Sequence, residues 1–310
     1  MHIEVSAQDR LPVVVAVDGS RAGLATLDFA TAEAVRRRAR LTIVHVWPGR
    51  YAGPFRSRGP IPDRDDGRRL LDIAATRAAL AAPGLPIETE MLDGAAGNVL
   101  VGCSERARLI VVGHRDEIVT RPSWGSTTAY LAHHSACPFL VHRGSSPQHG
   151  PVVVAVSARP GPTATLGYAF AEAARLDERL VAVHVWSRAA ARNTSPTPGN
   201  SYVAERQSAE HRLARELSEW STAFPDVAVE RVMVHDLDIA YTIERASRRG
   251  RLLVAGMGRN GSFAEVLYGS VSLAMARRAP CPVLLVPPGW PAPMHAKVGG
   301  DGPAARRPTR

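Results

Sequence analysis

Two kinds of segment in this sequence carry residue types that suit a phosphate-bearing ligand. The first is Val17-Asp18-Gly19-Ser20, where a carboxylate follows an apolar run and a helix cap follows the carboxylate. The second runs from Gly256 to Gly261 and leads to Gly269-Ser270-Val271-Ser272 at the start of an apolar helix. Glycine lets a backbone approach a phosphate closely, and Gly-Ser at a helix start offers free N–H groups and the positive end of the helix dipole. This chemistry is typical of nucleotide binding.

Internal repetition indicates which elements position these segments. Pro12–Asp18 recurs as Pro151–Ser157, at an offset of 139 residues. Later counterparts, at offsets of 143 or 144, are Gly113 and Gly256, Gly125-Ser126 and Gly269-Ser270, and Cys137-Pro138 and Cys281-Pro282. This spacing far exceeds that of short stacked repeats, so each copy should be a domain with its own core. We predict an N-terminal extension at 1–11, domains at 12–146 and 147–287, and a disordered tail at 288–310.

Each copy alternates short apolar runs with longer amphipathic stretches. Continuous apolar runs are typical of strands buried on both faces, and strands that alternate with helices predict a parallel sheet. The predicted strands are Val13–Val17, Thr42–Val46, Ile87–Met91, Leu109–Val112 and Phe139–Val141, then Val152–Val156, Val181–Val185, Val227–Val232, Leu252–Ala255 and Val283–Val286. Leu24–Arg38 and Thr165–Asp177 have helical periodicity, whereas Pro48–Asp66 and Ser187–Asn200 are predicted to be mobile loops. The predicted fold class is α/β, with two tandem doubly wound five-stranded parallel-sheet domains.

The combination of Val-Asp-Gly-Ser after the first strand, a loop of the form G-x2-G-x9-G-[ST] after the fourth, and Cys-Pro before the fifth resembles the universal stress protein family. The resemblance covers Pro12–Arg143 and Pro151–Pro287. It implies a Rossmann-like, adenine nucleotide alpha hydrolase-like fold, pairing of domains through their last strands, and ATP, with Mg as a companion ion, between the strand-one acid and the glycine loop. The binding residues it implies are Asp18, Val46, Gly113, Gly125, Ser126 and Thr127 in the first copy, and Gly256, Arg259, Gly269, Ser270, Val271 and Ser272 in the second. It implies no established catalytic residue.

Both copies depart from the family's pattern, in complementary ways. The first keeps Asp18 but has Asp116 where the second glycine belongs, and a carboxylate there repels phosphate. The second keeps the full loop spacing but has Arg259 at that glycine and Ser157 in place of the acid. Because arginine can itself clamp a phosphate, the C-terminal loop is the stronger candidate phosphate site. We predict ATP binding by at least one copy, without full occupancy of both.

Two of these candidate binding segments have another interpretation. Asp18 could serve only to cap the helix that follows it. Gly256–Gly261 also matches the G-x-G-x-x-G segment of dinucleotide-binding oxidoreductases, although it follows a fourth strand and lacks an acid about 20 residues further on.

Histidines and cysteines raise the question of metal binding. His133, His134 and Cys137 could share one helix face, but a surface histidine pair and a buried cysteine explain them as well, and no metal site is predicted. His45 and His184 recur at equivalent strand positions, which indicates a shared packing role.

Charge and composition narrow the partners. The formal net charge of +9 could indicate nucleic acid, but the positive side chains are almost all arginines on predicted exposed helix faces, and aromatic residues make up only 5%. A nucleic-acid partner is therefore disfavoured. No apolar run reaches bilayer length, which predicts no membrane association. The three scattered cysteines suit a reducing compartment, so we expect a cytoplasmic location.

Motifs of standard enzymes are absent: there is no Walker A lysine, H-E-x-x-H, C-x-x-C or G-x-S-x-G. We therefore predict no enzyme, with slow ATP hydrolysis left open. The leading hypothesis is a nucleotide-responsive stress protein that acts on an unknown protein partner. The competing hypothesis is an interaction scaffold with decayed sites, and a third is an NAD-dependent oxidoreductase. We expect Phe139–Val141 and Val283–Val286 to pair within the chain as an intramolecular pseudo-dimer, with a homodimer of tandem chains as a further option.

Overall fold

The computed structural model describes residues 10–47, 63–113, 127–144, 147–156, 164–186, 201–236, 238–257 and 279–291. Its strands are β1 Val13–Ala16, β2 Leu41–Trp47, β3 Ile87–Asp93, β4 Leu109–Gly113 and β5 Phe139–His142, then β6 Val152–Val156, β7 Leu180–Trp186, β8 Val229–His235, β9 Leu252–Gly256 and β10 Val283–Val286. Its helices are α1 Arg21–Arg36, α2 Arg64–Ala81, α3 Ala96–Ser104, α4 Thr127–His134, α5 Ala164–Leu176, α6 Ser201–Ala223 and α7 Ile239–Ala246. The predicted strands and the two predicted helices are confirmed, with most bounds moved by one to three residues.

Each half of the chain is a doubly wound sheet. The strand order is β3-β2-β1-β4-β5 in the first half and, in mirror sequence, β10-β9-β6-β7-β8 in the second. All neighbours within a half run parallel. The chain reverses its direction of winding between β1 and β4, and again between β6 and β9. In sheets of this type the crevice at such a switch point, beyond the carboxyl ends of the strands, is where ligands bind.

The continuous apolar strands bury both faces of the sheet. In β1, Val13 and Val15 belong to one core cluster, whereas Val14 belongs to the cluster on the opposite face. Helices α1, α2, α5 and α6 cover the first face, and α3, α4 and α7 cover the second. Both clusters extend across the two halves, because residues of β5, β9 and β10 contribute to each of them.

The two halves join through their last strands. β5 and β10 pair antiparallel, with Leu140 opposite Leu284, which produces one ten-stranded sheet. The predicted pairing inside one chain is therefore present. Because the junction is antiparallel, the carboxyl ends of the first half's strands point to the opposite edge from those of the second half. The carboxyl end of β1, where Asp18 lies, and the carboxyl end of β9, where Gly256 lies, are consequently on opposite edges of the sheet.

Two sequence boundaries need correction. The predicted loop Pro48–Asp66 ends earlier, because α2 begins at Arg64 with Asp63 as its N-cap, whose side chain accepts a hydrogen bond from the Asp65 amide. Trp290, assigned from sequence to the tail, packs against both core clusters. Residues 48–62, the loop Ser187–Asn200 and the tail from residue 292 onward lie outside the described residues.

Two arginines that lie just before strands bind the carboxyl ends of helices. Arg108 donates to the carbonyl oxygen of Arg37 at the carboxyl end of α1, at 3.2 Å, and its counterpart Arg251 donates to Leu176 at the end of α5, at 3.4 Å. A cation at a helix carboxyl end satisfies free carbonyls and opposes the negative end of the dipole. Part of the chain's positive charge therefore serves the fold. Among the described residues, no helix is both long and apolar enough to cross a bilayer.

Candidate functional site at the sheet switch points

The first-half site begins at Asp18, directly after β1. Its Oδ1 atom accepts hydrogen bonds from the Ser20 amide at 3.0 Å and from the Ser20 hydroxyl at 2.6 Å. Ser20 is the N-cap of α1, and its Oγ accepts from the Gly23 amide at 3.0 Å. Asp18 is therefore not the cap itself; it orients the residue that caps the helix. The carboxylate remains exposed at the amino end of α1, where the helix dipole favours negative charge.

Gly19 lets the chain turn from β1 into α1. Its φ angle is +79°, a conformation that L side chains rarely adopt. The Asp-Gly-Ser sequence thus has a local structural reason at each position: an acceptor, a left-handed turn and a cap. All three would be required even without a ligand.

Gly113 ends β4, the strand next to β1, and its place is set by helix α1. A Cβ atom at Gly113 would lie 2.7 Å from the Thr26 Oγ1 atom. The Thr26 hydroxyl is buried and donates to the Ala22 carbonyl at 2.8 Å, so it cannot turn away without losing that bond. Glycine here permits a close approach of helix and strand. From the sequence, Gly113 was expected to allow a close approach of phosphate, and its contact with Thr26 was not predicted.

The second half repeats the arrangement. A Cβ atom at Gly256, at the end of β9, would lie 2.9 Å from the Oγ1 atom of Thr165 in the first turn of α5. Thr26 and Thr165 are related by the same offset of 139 residues as the first strands. A search for threonines that recur together with the two glycines could have found this pair.

His45 and His184 fix the tips of the first strands. The His45 Nδ1 atom lies 2.9 Å from the Val17 carbonyl oxygen, and His184 Nδ1 lies 3.0 Å from that of Val156. Because a carbonyl only accepts, Nδ1 donates in both cases. Burial lowers the pKa of His184, opposed by its bond to Val156. These contacts give both histidines the shared packing role predicted from the sequence.

His142 was not singled out by sequence analysis, although it lies beside Gly113. It ends β5 in register with Gly113, stacks on Phe29 at 4.7 Å between ring centroids, and has Nδ1 3.3 Å from Thr26 Oγ1. Burial lowers the pKa of His142, which Asp28 only partly opposes. Its counterpart in the second copy is Val286, so repetition gave no signal for it.

The remaining predicted binding residues are either described by the structure or lie outside the described residues. Val46 lies half-buried near the end of β2 and packs against the core cluster of the second sheet face, and Thr127 is the first residue of α4. The others lie outside the described residues; they are Gly125, Ser126, Arg259, Gly269, Ser270, Val271 and Ser272. The structure thus brings Asp18, Val46 and Gly113 to one edge of the sheet, while the phosphate loops stay predictions.

The histidine and cysteine group does not converge on a metal. His133 and His134 are exposed at the end of α4, and His134 packs against Tyr130 at 4.5 Å between ring centroids. Cys137 is fully buried, and burial raises its pKa to about 12. Within the described ranges, no cluster of three His, Cys, Asp or Glu residues could hold a metal ion.

The geometry therefore consists of two copies of one site framework: an acid or its replacement after the first strand, a glycine at the end of the fourth, and a helix packed on that glycine. A model of the universal stress protein family matches the chain twice, at residues 10–143 and 149–287. The chain belongs to the universal stress protein family. Its tandem domains, α/β fold class and Rossmann-like sheets agree with the resemblance seen in the sequence.

Relatives share the tandem organisation along nearly their whole length. A universal stress protein of Mycobacterium tuberculosis is 31% identical over 299 residues, covering 90% of this chain and 97% of its own. A universal stress protein of Mycolicibacterium smegmatis is 29% identical over 291 residues, covering 89% and 97%.

Solved structures show the same fold at lower identity. A universal stress protein from Archaeoglobus fulgidus has a TM-score of 0.63 at 16% identity, with coverage of 91% of this chain and 98% of that one. A shorter solved universal stress protein, described as a complex with cAMP, is 26% identical and covers 44% of this chain, with a TM-score of 0.35.

Proposed function

We propose that this universal stress protein binds ATP or a related adenine nucleotide in at least one domain, and that the nucleotide biases the chain's interaction with a protein partner. Family membership and the switch-point geometry support the proposal. The single observation that carries it is the exposed Asp18 carboxylate beside the amino end of α1, next to the strand that ends in Gly113.

The described residues of the first half fit the sugar and base of a nucleotide better than its phosphates. Asp18 accepts from Ser20 through Oδ1 and is exposed, so its carboxylate can also accept from an adenine amine or a ribose hydroxyl. Gly113 offers little room beyond its Thr26 contact. In each half, the phosphate and Mg contacts would come from that half's own glycine loop. Of the two loops, the C-terminal one around Arg259 and Gly269-Ser270 is the proposed stronger phosphate site.

We further propose that the protein is a regulator without an enzymatic role, present in the cytoplasm, with slow ATP hydrolysis as the one activity to assay. A purified sample incubated with ATP and Mg and analysed for ADP tests this. Light scattering on the full chain would separate a monomeric pseudo-dimer from a homodimer of tandem chains.

A scaffold function without nucleotide is the second candidate, and specific contacts favour it. Asp18, Gly19, Ser20, Gly113 and Gly256 all have structural reasons that need no ligand. A family member that had lost nucleotide binding would therefore still keep these residues. The third hypothesis, an NAD-dependent oxidoreductase, gains nothing, since only Gly256 and Met257 of its motif lie in the described chain.

Ligand release separates the three hypotheses. Mass spectrometry of small molecules freed by denaturing the purified protein should detect ATP or ADP if the proposal holds, nothing for a scaffold and NAD for an oxidoreductase. Titration calorimetry with ATP then locates the site through Asp18→Asn and Gly269→Val.

The asparagine variant is the sharper probe, because its Oδ1 can still accept from Ser20 while the charge is lost. We expect weaker ATP binding and an unfolding midpoint that is only slightly lower, since a charge at the amino end of a helix stabilises by about 0.3–1 kcal/mol. Asp28→Asn is the matched control, since Asp28 is an exposed carboxylate of α1 that pairs with Arg77. If Asp18→Asn, Gly269→Val and the wild type all bind ATP equally, the assigned sites are wrong.

A further inference from the structure

One ionic cluster lies buried where the two halves meet. The Arg37 Nη2 atom donates to the Glu172 Oε1 atom at 2.7 Å, and both side chains are 2% exposed. Arg37 also pairs with Glu33 on its own helix, and Arg175 Nη1 donates to Glu172 at 2.5 Å. Burial by itself raises the pKa of Glu172, but Arg175 and Arg37 more than offset it, so its pKa lies below the ordinary value. The carboxylate is held ionised between two guanidinium groups.

Most of the cluster recurs in both copies of the duplication, and one arginine occurs in the first copy only. Glu33 corresponds to Glu172 and Arg36 to Arg175, each at the offset of 139 residues, and each copy forms its own Glu–Arg pair three residues apart. The counterpart of Arg37 is Leu176. Arg37 therefore supplies an ion pair from one half to the other that has no counterpart in the second copy.

The two helices that carry this cluster also carry the site frameworks. The first turns of α1 contain the Ser20 cap and the Thr26 contact with Gly113, and its carboxyl end is followed by Arg37. Helix α5 begins with the Thr165 contact to Gly256 and reaches Glu172 about two turns later.

We infer that the Arg37–Glu172 contact transmits changes at the amino end of α1 to helix α5, so that a ligand at the first-half site alters the second half of the chain. The ligand part of this inference rests on the proposed function. A buried ion pair cannot slide without exposing or unpairing a charge, and packed interiors resist continuous deformation. A change in α1 must therefore move or loosen α5, or break the pair. Ordering of α1 should in turn order α5.

A first experiment needs no nucleotide. Ser20→Ala removes the cap of α1, which should increase the equilibrium constant for opening of its first turns about fivefold. Hydrogen–deuterium exchange of the full chain is compared for α1 and α5, with α3 on the opposite face of the sheet as reference. We expect Ser20→Ala to speed hydrogen exchange in α5 by about twofold or more. When Arg37→Gln is also present, Ser20→Ala should leave exchange in α5 unchanged.

Two further variants keep this test decisive. Glu172→Gln removes the charge from the other side and should abolish transmission like Arg37→Gln, which covers the case of one variant that folds poorly. Arg77→Gln breaks the exposed pair with Asp28 between α1 and α2, at 2.6 Å, and should leave transmission intact. The inference is overturned if Ser20→Ala leaves α5 unchanged in the presence of Arg37, or if Arg77→Gln abolishes the effect as well.

A second experiment adds ATP. In wild type, ATP should slow exchange in both α1 and α5, and in Arg37→Gln the slowing should be confined to α1. Slowing of α5 that persists in Arg37→Gln would overturn the inference. If ATP changes neither helix in any variant, nucleotide binding in the first half is refuted, while the cap experiment still decides whether Arg37 couples the helices.

Discussion

Replacing Gly113 with alanine tests whether this glycine is held by packing. Its φ angle is not in the left-handed region, so the new methyl group meets no backbone strain. Gly→Ala would then stabilise by about 0.4–1 kcal/mol through the unfolded chain alone. The methyl carbon, however, would lie 2.7 Å from the buried Thr26 Oγ1 atom. Overpacking of this kind costs about 1–3 kcal/mol, so we expect a net loss of about 1–2 kcal/mol.

The assay is a double-mutant cycle measured by urea unfolding followed by circular dichroism. Thr26→Ala removes the obstructing hydroxyl, so Gly113→Ala in that background should be neutral or stabilising. The coupling free energy between the two sites is then about 1–3 kcal/mol. Gly102→Ala is the matched control. Gly102 is exposed within α3 and a Cβ atom there meets nothing within 4 Å, so that variant should gain about 0.5–1 kcal/mol. Thr26 does not restrict Gly113 if Gly113→Ala is as stable as wild type, or if it loses the same free energy of unfolding with and without Thr26.

Three further outcomes follow from buried groups. Arg37→Met should lower the free energy of unfolding, measured with urea, by about 2–4 kcal/mol. The loss is smaller than for a fully unpaired carboxylate, because Arg175 still contacts Glu172. The pKa of His142 in the folded state is below its unfolded value of about 6.5. Its contribution to stability is therefore full above pH 6.5 and is lost as the pH falls toward the folded-state pKa. In a series of unfolding midpoints measured against pH, His142→Gln should reduce this loss of stability at low pH. Cys137, whose pKa burial raises to about 12, should resist a thiol reagent at pH 8 in the native state and react at once in urea.

The first two predictions have matched control variants, and the third has a contradicting outcome. Arg69→Met removes an exposed pair with Asp66 and should change stability by less than about 0.5 kcal/mol; equal losses for both arginine variants would contradict the burial argument. His133→Gln, which replaces an exposed histidine, is the matched control for the pH series. Rapid labelling of Cys137 in the native state would contradict this prediction, because the segment before β5 would then open far more often than the burial of Cys137 suggests.

The sequence by itself determined the duplication, the ten strands and the fold class. Apolar runs such as Val152–Val156 and Val283–Val286 are long enough, and apolar enough, to be buried on both faces wherever they lie. The helix cap after Asp18 was likewise predicted, because a cap is decided by neighbours in the chain. The pairing of β5 with β10 also followed from the need to cover an apolar edge.

Only the tertiary structure decided what the recurring glycines touch and where the two sites lie. Gly113 and Thr26 are far apart in the chain, and their contact exists because α1 packs on β4. The antiparallel direction of the β5–β10 junction separates the sites onto opposite edges, which a one-dimensional pattern of apolar residues does not specify. The same is true of Arg37, which in the sequence is one of three successive arginines and in the fold is the buried partner of Glu172. Burial and charge pairing depend on which surfaces meet, and that is decided when the two halves close on each other.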